Sequence, residues 1–246
     1  MKKSVKRTPK IALTIDVEQD APPFLGTWQG MAEGLPLLLR TLDKYDVQAT
    51  FFVTGFAAEK FPQLVANISQ GHEVSCHGYE HERFDMLVAE EQKKRIEKAT
   101  EILRKLTGKK PPGFRSPNFK LGTETLAILE EMGYLYDASR ASYKPGGRRS
   151  RSSLVEIPNT LPSSFLRIHP WLSQTVLRFC LSFLPVVVLD YHPWELIRMS
   201  GIRFDLRFST GERALRRLDN TIHFLRGTGT EFVTMEQVAR LKLADM

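Results

Sequence analysis

Short apolar runs rich in β-branched residues alternate with amphipathic runs along nearly the whole chain. This alternation limits the fold more than any other feature. "IALTI" (11–15) reads as a strand, and Pro36 suits the first turn of a helix through "LLLRTLDKY". "QATFFVT" is a buried strand, and Pro62 opens a helix through "QLVANISQ" that Gly71 is placed to end. "EVSCH" is a short strand. The run 89–108 is the clearest helix, with Ile96, Ala99, Ile102, Leu103 and Leu106 as its apolar stripe and Gly108 as its stop. "GFRSP" follows as a strand, then the helix "TETLAILEEMG" with Thr123 as its cap, then strands "YLYDAS" and "LVEIP". "LSQTVLRFCLSF" is a helix before the strongly apolar strand "PVVVLDYH", and "GERALRRLDNTIHFLRG", "EFVTM" and "EQVARLK" complete the series as helix, strand and helix. Seven or eight such units with short links predict an α/β fold, a parallel sheet with helices outside, open or closed into a barrel. No internal repeat or linker divides the chain, so one domain is expected over 11–246, after a basic tail at 1–10.

Composition excludes several classes. Of 246 residues, 42% are hydrophobic and 26% charged, which suits a globular chain with a core. No 18-residue apolar run predicts a membrane-spanning helix. The N-terminal segment lacks the apolar stretch of a secretory signal, so a cytoplasmic location is expected. Cys76 and Cys180 are too few for a disulfide framework. The net charge of +7 is concentrated. Lys2, Lys3, Lys6, Arg7 and Lys10 crowd the tail, and Lys144, Arg148, Arg149 and Arg151 crowd a Gly/Arg-rich loop at 140–153. These cations are either solvated or drawn to an anionic membrane face or substrate. Nucleic acid is not an expected partner, because no recognition fold or stacking pattern accompanies the charge. The apolar segment 164–185 either packs into the core or faces lipid.

Four clusters carry chemistry, each at a predicted strand end. "IALTI" runs into Asp16, Glu18 and Asp20, where repulsion and desolvation both make carboxylates costly. Asp16 and Glu18 are two apart, so on a strand they share a side. "HGYEH" sets His77 and His81 four apart; on a helical turn both imidazoles would reach one metal ion. "RSP" sets Arg115 at a strand end, where it would grip a carboxylate in a bidentate fork. His192, at the end of "VVVLDYH" and beside Trp194, is placed for acid catalysis. His72, His169 and His223 are given no chemical role, and Asp20 is placed outside any metal shell.

In this order, "TIDVE", "HGYEH", "RSP" and "VVVLDYH", with "ATFFVTG" as a core strand, resemble the polysaccharide deacetylase family, carbohydrate esterase family 4, with its NodB-homology domain. The likeness extends over about 11–240. It implies a distorted (β/α)7-type barrel and hydrolysis of an N-acyl group, usually acetyl, from an amino sugar. Carried over by position, it implies Asp16 as general base, Arg115 as its orienting partner, His192 as general acid, and His77 and His81 as metal ligands. The family's common motif has a metal-binding Asp where this chain has Val17. Glu18 fits the variant with the ligand two residues after the base. The implied cofactor is one divalent transition ion, Zn²⁺ first, Co²⁺ or Ni²⁺ otherwise. "TIDVEQD" and "EIPNTLP" also look like the subgroup that includes the deformylase of undecaprenyl-phosphate formamido-arabinose, which works at the cytoplasmic membrane face. The implied substrate is an amino-sugar glycan or a lipid-linked sugar, with peripheral contact to an anionic membrane. Allantoinase-like amide hydrolysis stays open within the fold, as does a silent carbohydrate-binding or scaffold protein.

Overall fold

The computed structural model describes residues 8–144 and 152–244. Most of the basic tail and Arg148, Arg149 and Arg151 of the 140–153 loop lie outside this range.

Eight strands form one parallel sheet: β1 (Lys10–Val17), β2 (Thr50–Val53), β3 (Glu73–Cys76), β4 (Gly113–Phe114), β5 (Tyr136–Asp137), β6 (Val155–Glu156), β7 (Val186–Tyr191) and β8 (Glu231–Phe232). Their order is β6-β5-β4-β3-β2-β1-β7, with β8 pairing the start of β1. Beyond β6 the chain bridges to β7 at Leu161 and Leu189, which curls the sheet toward closure. The architecture is the distorted (β/α)7 barrel that the family resemblance implied, and it resolves the choice between open sheet and barrel that the alternation left open. The connecting helices are α1 (Leu35–Lys44), α2 (Gly55–Lys60), α3 (Pro62–Gly71), α4 (Ala89–Thr107), α5 (Thr125–Glu131), α6 (Ser163–Leu166), α7 (Pro170–Phe183), α8 (Phe204–Arg207), α9 (Glu212–Gly227) and α10 (Met235–Ala244).

Strand alternation decides which side chains reach the site. Along β1, Ile11, Leu13, Ile15 and Val17 pack with the helices in the larger core. Ala12 joins the smaller core with Phe52, Val188 and Met235, and Thr14 and Asp16 follow it on that inner face. The other strands repeat the pattern. Val74 and Cys76 of β3, Phe114 of β4, and Val187, Leu189 and Tyr191 of β7 face the helices. Ser75, His77, Arg115, Asp190 and His192 therefore fall on the inner face. Each fully buried Ile or Leu contributes about 1.5–3 kcal/mol, enough to fix this register, because a one-residue slip would turn every pair inside out.

Several local expectations change. Gly71 is the last residue of α3, and His72 is the capping position; its Nδ1 accepts the Ala49 amide. Thr123 does not cap α5. The helix begins after Glu124, and Thr125 Oγ1 accepts the Gly122 amide instead. Gly108 does end α4, at φ +73°. In α7 only one face is packed: Ser173 and Leu177 are buried, while Trp171, Phe179 and Phe183 are 71%, 65% and 71% exposed. The segment is thus part core and part open apolar surface. Among the described residues no helix is long and apolar enough to cross a membrane.

Candidate active site

Asp16, Glu18, His77 and His192 come from the C-terminal ends of β1, β3 and β7 and meet in one cleft of about 580 Å³, with Arg115, from the end of β4, buried behind Asp16. His81 joins them from the loop after β3. That loop is not the helical turn the HxxxH spacing suggested: His81 adopts φ +65° after Gly78 at φ +77°. The left-handed turn, rather than an i/i+4 face, brings the second imidazole back. The His77 and His81 ring centroids lie 5.4 Å apart.

Glu18 is the centre of the cluster. Its Oε2 lies 2.8 Å from His81 Nε2 and 3.3 Å from His77 Nε2. His77 Nδ1 lies 2.7 Å from the Arg115 carbonyl, which only accepts, so Nδ1 carries the proton and Nε2 presents a lone pair. A bare imidazole lone pair facing a carboxylate oxygen is repulsive, and Glu18 Oε2 is buried without a hydrogen bond. One donor atom from each of Glu18, His77 and His81 lies within 4.8 Å of the others. Two imidazoles and a carboxylate are the donors a zinc-type ion takes, with a position left for water. A cation there would relieve the facing lone pairs, so the residues fit such an ion. Burial works to raise the Glu18 pKa, but the neighbouring imidazoles, the charge of His81 first, outweigh it and hold Glu18 well below the usual carboxylate range. Burial also lowers His81, but Glu18 outweighs it and the net direction is upward.

Asp16 is held from one side only. Arg115 Nη1 donates to Asp16 Oδ1 at 2.7 Å and to Thr14 Oγ1 at 2.9 Å. The expected bidentate fork is not formed: Nη2 and Nε have no hydrogen-bond partner. The Arg115 guanidinium instead stacks on Phe52, its carbon 4.1 Å from the ring centre. Asp16 Oδ2 stays turned to the cleft, 3.8 Å from His77 Nε2 and 3.9 Å from His192 Nε2. Asp20 lies outside the cluster, as expected. It accepts Thr27 Oγ1 and the Gln29 and Gly30 amides, fixing the turn after β1.

The sequence reading missed how His192 is held. Glu195 Oε1 lies 3.2 Å from His192 Nδ1 and accepts Ser163 Oγ at 2.5 Å. Arg167 stands 3.8 Å from the other Glu195 oxygen and donates to the Leu206 and Phe208 carbonyls. Burial alone would lower His192, but the hydrogen bond and charge of Glu195, with Glu18 and Asp16, push it up to about 10. Glu195 is itself held below its usual range, since Arg167 and His192 outweigh its burial. The signal was present in "HPWEL": Pro193 starts a tight turn that returns the third residue to the imidazole. Gly34 supports this turn from behind, where a Cβ would lie 2.0 Å from the Pro193 carbonyl oxygen. Trp194 Nε1 donates to Glu18 Oε1 at 3.4 Å, tying the His192 segment to β1. Arg83, Asn118, Phe119, Lys120 and Lys144 also line the cleft.

A family model described as polysaccharide deacetylase matches residues 3–136, more than half of the chain. The chain belongs to the polysaccharide deacetylase family. It is 36% identical over 127 residues to the peptidoglycan-N-acetylglucosamine deacetylase of Bacillus cereus, a match covering 51% of this chain and 42% of that protein. The matches to the first relatives span 33% to 42% of their lengths, well under half. A solved structure from Mycobacterium smegmatis, assigned as a polysaccharide deacetylase, superposes with a TM-score of 0.75 at 25% identity, covering 97% of this chain and 91% of that one. A family 4 pseudoenzyme from Bacillus anthracis shares the fold at a TM-score of 0.65 and 20% identity, over 94% of this chain and 66% of its own.

Proposed function

We propose that this chain is a metal-dependent hydrolase that removes an N-acyl group, acetyl first, from an amino sugar in a polysaccharide or a lipid-linked glycan. The observation that carries the reading is the meeting of Glu18, His77 and His81 beside two separate proton carriers, Asp16 and His192, in one cleft. Family membership and the likeness to a peptidoglycan deacetylase support it.

Glu18, His77 and His81 would hold the ion. When bound, a zinc-type ion supplies polarisation of the amide carbonyl and a water of lowered pKa. Asp16 Oδ2 faces the cleft and takes the proton of the attacking water. Arg115 holds Oδ1, so only one oxygen turns to the reaction. His192 carries a proton at neutral pH because Glu195 and the other carboxylates favour its charged form. It gives that proton from Nε2 to the departing nitrogen, while Glu195 holds Nδ1. Water adds to the carbonyl, the C–N bond breaks, and the products are a carboxylate and a free amino sugar.

The test is bound metal by elemental analysis together with turnover of acetylated and formylated amino sugars. Wild type should hold about one ion per chain, and His77→Ala/His81→Ala should lose both metal and turnover. A wild type that takes up no zinc, cobalt or nickel and releases no acyl group would sink the hydrolase reading. The silent binding scaffold would then take its place.

The proposal includes a station at the inner face of an anionic membrane. Trp171, Phe179 and Phe183 of α7 and Phe204 of α8 stand open to solvent, with Arg178 and Arg198 exposed near them in the chain, while Arg203 is paired with the exposed Asp205. The two carboxylates between residues 157 and 204, Asp190 and Glu195, are both buried. Such a surface suits a peripheral contact with anionic lipid. Salt-sensitive co-sedimentation with anionic vesicles is expected, and absence of binding at low salt would remove this element.

A further inference from the structure

Among the described residues, two of the cations that line the cleft have no ion-pair partner. Arg83 is paired with Asp85, and Arg167 is engaged with Glu195 and two carbonyls. Lys120 and Lys144 form no ion pair with a carboxylate among the described residues. Both ammonium groups belong to residues lining the same cleft. Burial, then the charge of Lys120, lowers the Lys144 pKa against the opposing charge of Asp190. Two cations lining one cleft favour an anionic visitor.

The backbone that holds them is fixed. Asn118 and Phe119 are adjacent non-glycine residues at φ +57° and +58°. Strained pairs of this kind persist where surrounding contacts enforce them, and they cluster at ligand sites. Here Ser116 Oγ donates to the Lys120 carbonyl at 2.5 Å, and the Phe119 amide donates to the Ser116 carbonyl. The turn starts directly after Arg115. Its half-buried Phe119 ring lies 5.5 Å from the Arg115 guanidinium carbon and 5.0 Å from Lys144 Nζ. Lys144 Nζ also reaches the Asn118 carbonyl at 3.5 Å. One aromatic ring thus separates the residue that grips Asp16 from the Lys144 ammonium group.

We propose that Lys120 and Lys144, with Phe119 against Lys144, form a subsite for an anionic group, a phosphate or a carboxylate, carried on or next to the acylated sugar. The inference rests on the hydrolase reading and narrows its substrate to a charged amino sugar. A neutral glycan needs no pair of ammonium groups lining the cleft. A phosphate or carboxylate placed there gains charge-assisted hydrogen bonds and relieves the repulsion between the lysines.

The experiment compares kcat/KM for acetylated amino sugars that are neutral, phosphate-bearing or carboxylate-bearing. It uses wild type, Lys120→Ala/Lys144→Ala and Lys120→Arg/Lys144→Arg. The alanine pair should lower the ratio of anionic to neutral turnover by roughly ten- to a hundred-fold. The change should sit in KM, and the arginine pair should keep most of the preference. The arm with the larger change identifies phosphate or carboxylate. Inorganic phosphate should compete with substrate in wild type and much less in the alanine pair. An unchanged ratio, equal phosphate inhibition, or an effect seen only on vesicles would overturn the subsite. If wild type turns over no acylated sugar, the hydrolase reading fails by itself. Calorimetric binding of inorganic phosphate then decides: binding lost in the alanine pair upholds the subsite, and equal or no binding overturns it.

Discussion

The two halves of the cleft are built differently. Residues 10–137 supply Asp16, Glu18, His77, His81 and Arg115. Four of these five stand at or next to a strand end, and the ladder of β1 to β4 sets their spacing directly. Residues 152–210 supply His192, and they hold it through side chains drawn from a short helix, its C-terminal cap and a tight turn: Ser163, Arg167 and Glu195. A site hung on paired strands is as rigid as the sheet. A site held by a relay of hydrogen bonds is tuned by each member. The comparison teaches that the first half should respond to substitution by losing function outright, and the second by shifting its pH response.

The largest effect should fall in the first half. Asp16→Asn keeps the shape and removes the base, and turnover should drop by roughly 10²–10⁴-fold with bound metal retained. Loss of the metal as well would show that Asp16 is part of the ligand set, and would blur the division between base and ligands.

Glu195→Gln tests the second half. It should cost roughly ten- to a hundred-fold in kcat/KM. The pH response carries the sharper information. His192 is raised to about 10, chiefly against its burial and by Glu195, so the acid stays protonated well above neutral pH. Removing the Glu195 charge lowers the His192 pKa, and the basic limb of the pH–rate profile should move to lower pH. A profile that keeps its basic limb would remove Glu195 from the relay.

Asp137 lies at the end of β5, on the seam between the halves. Burial pushes its carboxyl up to about 7, although Ser139 donates to it from both amide and hydroxyl. The folded state therefore holds this proton more tightly than the unfolded chain. Its stabilising contribution is complete below about pH 4 and is lost as pH rises to about 7. Asp137→Asn should escape this loss and gain on the order of a few kcal/mol over wild type between those pH values. Denaturant titrations at pH 5 and pH 8 that give the same difference would refute the assignment.

The smallest effect on stability should come from the open face of α7. Trp171→Ser, Phe179→Ser and Phe183→Ser remove side chains that are mostly solvated, so each should change stability by about 0.5 kcal/mol or less. Vesicle binding should weaken all the same. A marked loss of stability would mean that this face is packed in solution.

Much of this was written locally. Strand and helix periods are properties of neighbouring residues, so the sequence determined the alternation, the parallel sheet and the inner-face placement of Asp16 and Glu18. It also marked His77, Arg115 and His192 at strand ends. Tertiary structure alone decided what depends on distant partners. The link from Leu161 to Leu189 curls the sheet, and the left-handed turn at His81 replaces a helical face. Arg115 divides one nitrogen between Asp16 and Thr14 and leans on Phe52, so a fork was never available to it. Glu195 meets Ser163 across 32 positions of sequence, and only packing brings them together. Periodicity records which face a residue takes on its own element. It holds no record of which element stands opposite, and that choice belongs to the free energy of the whole fold.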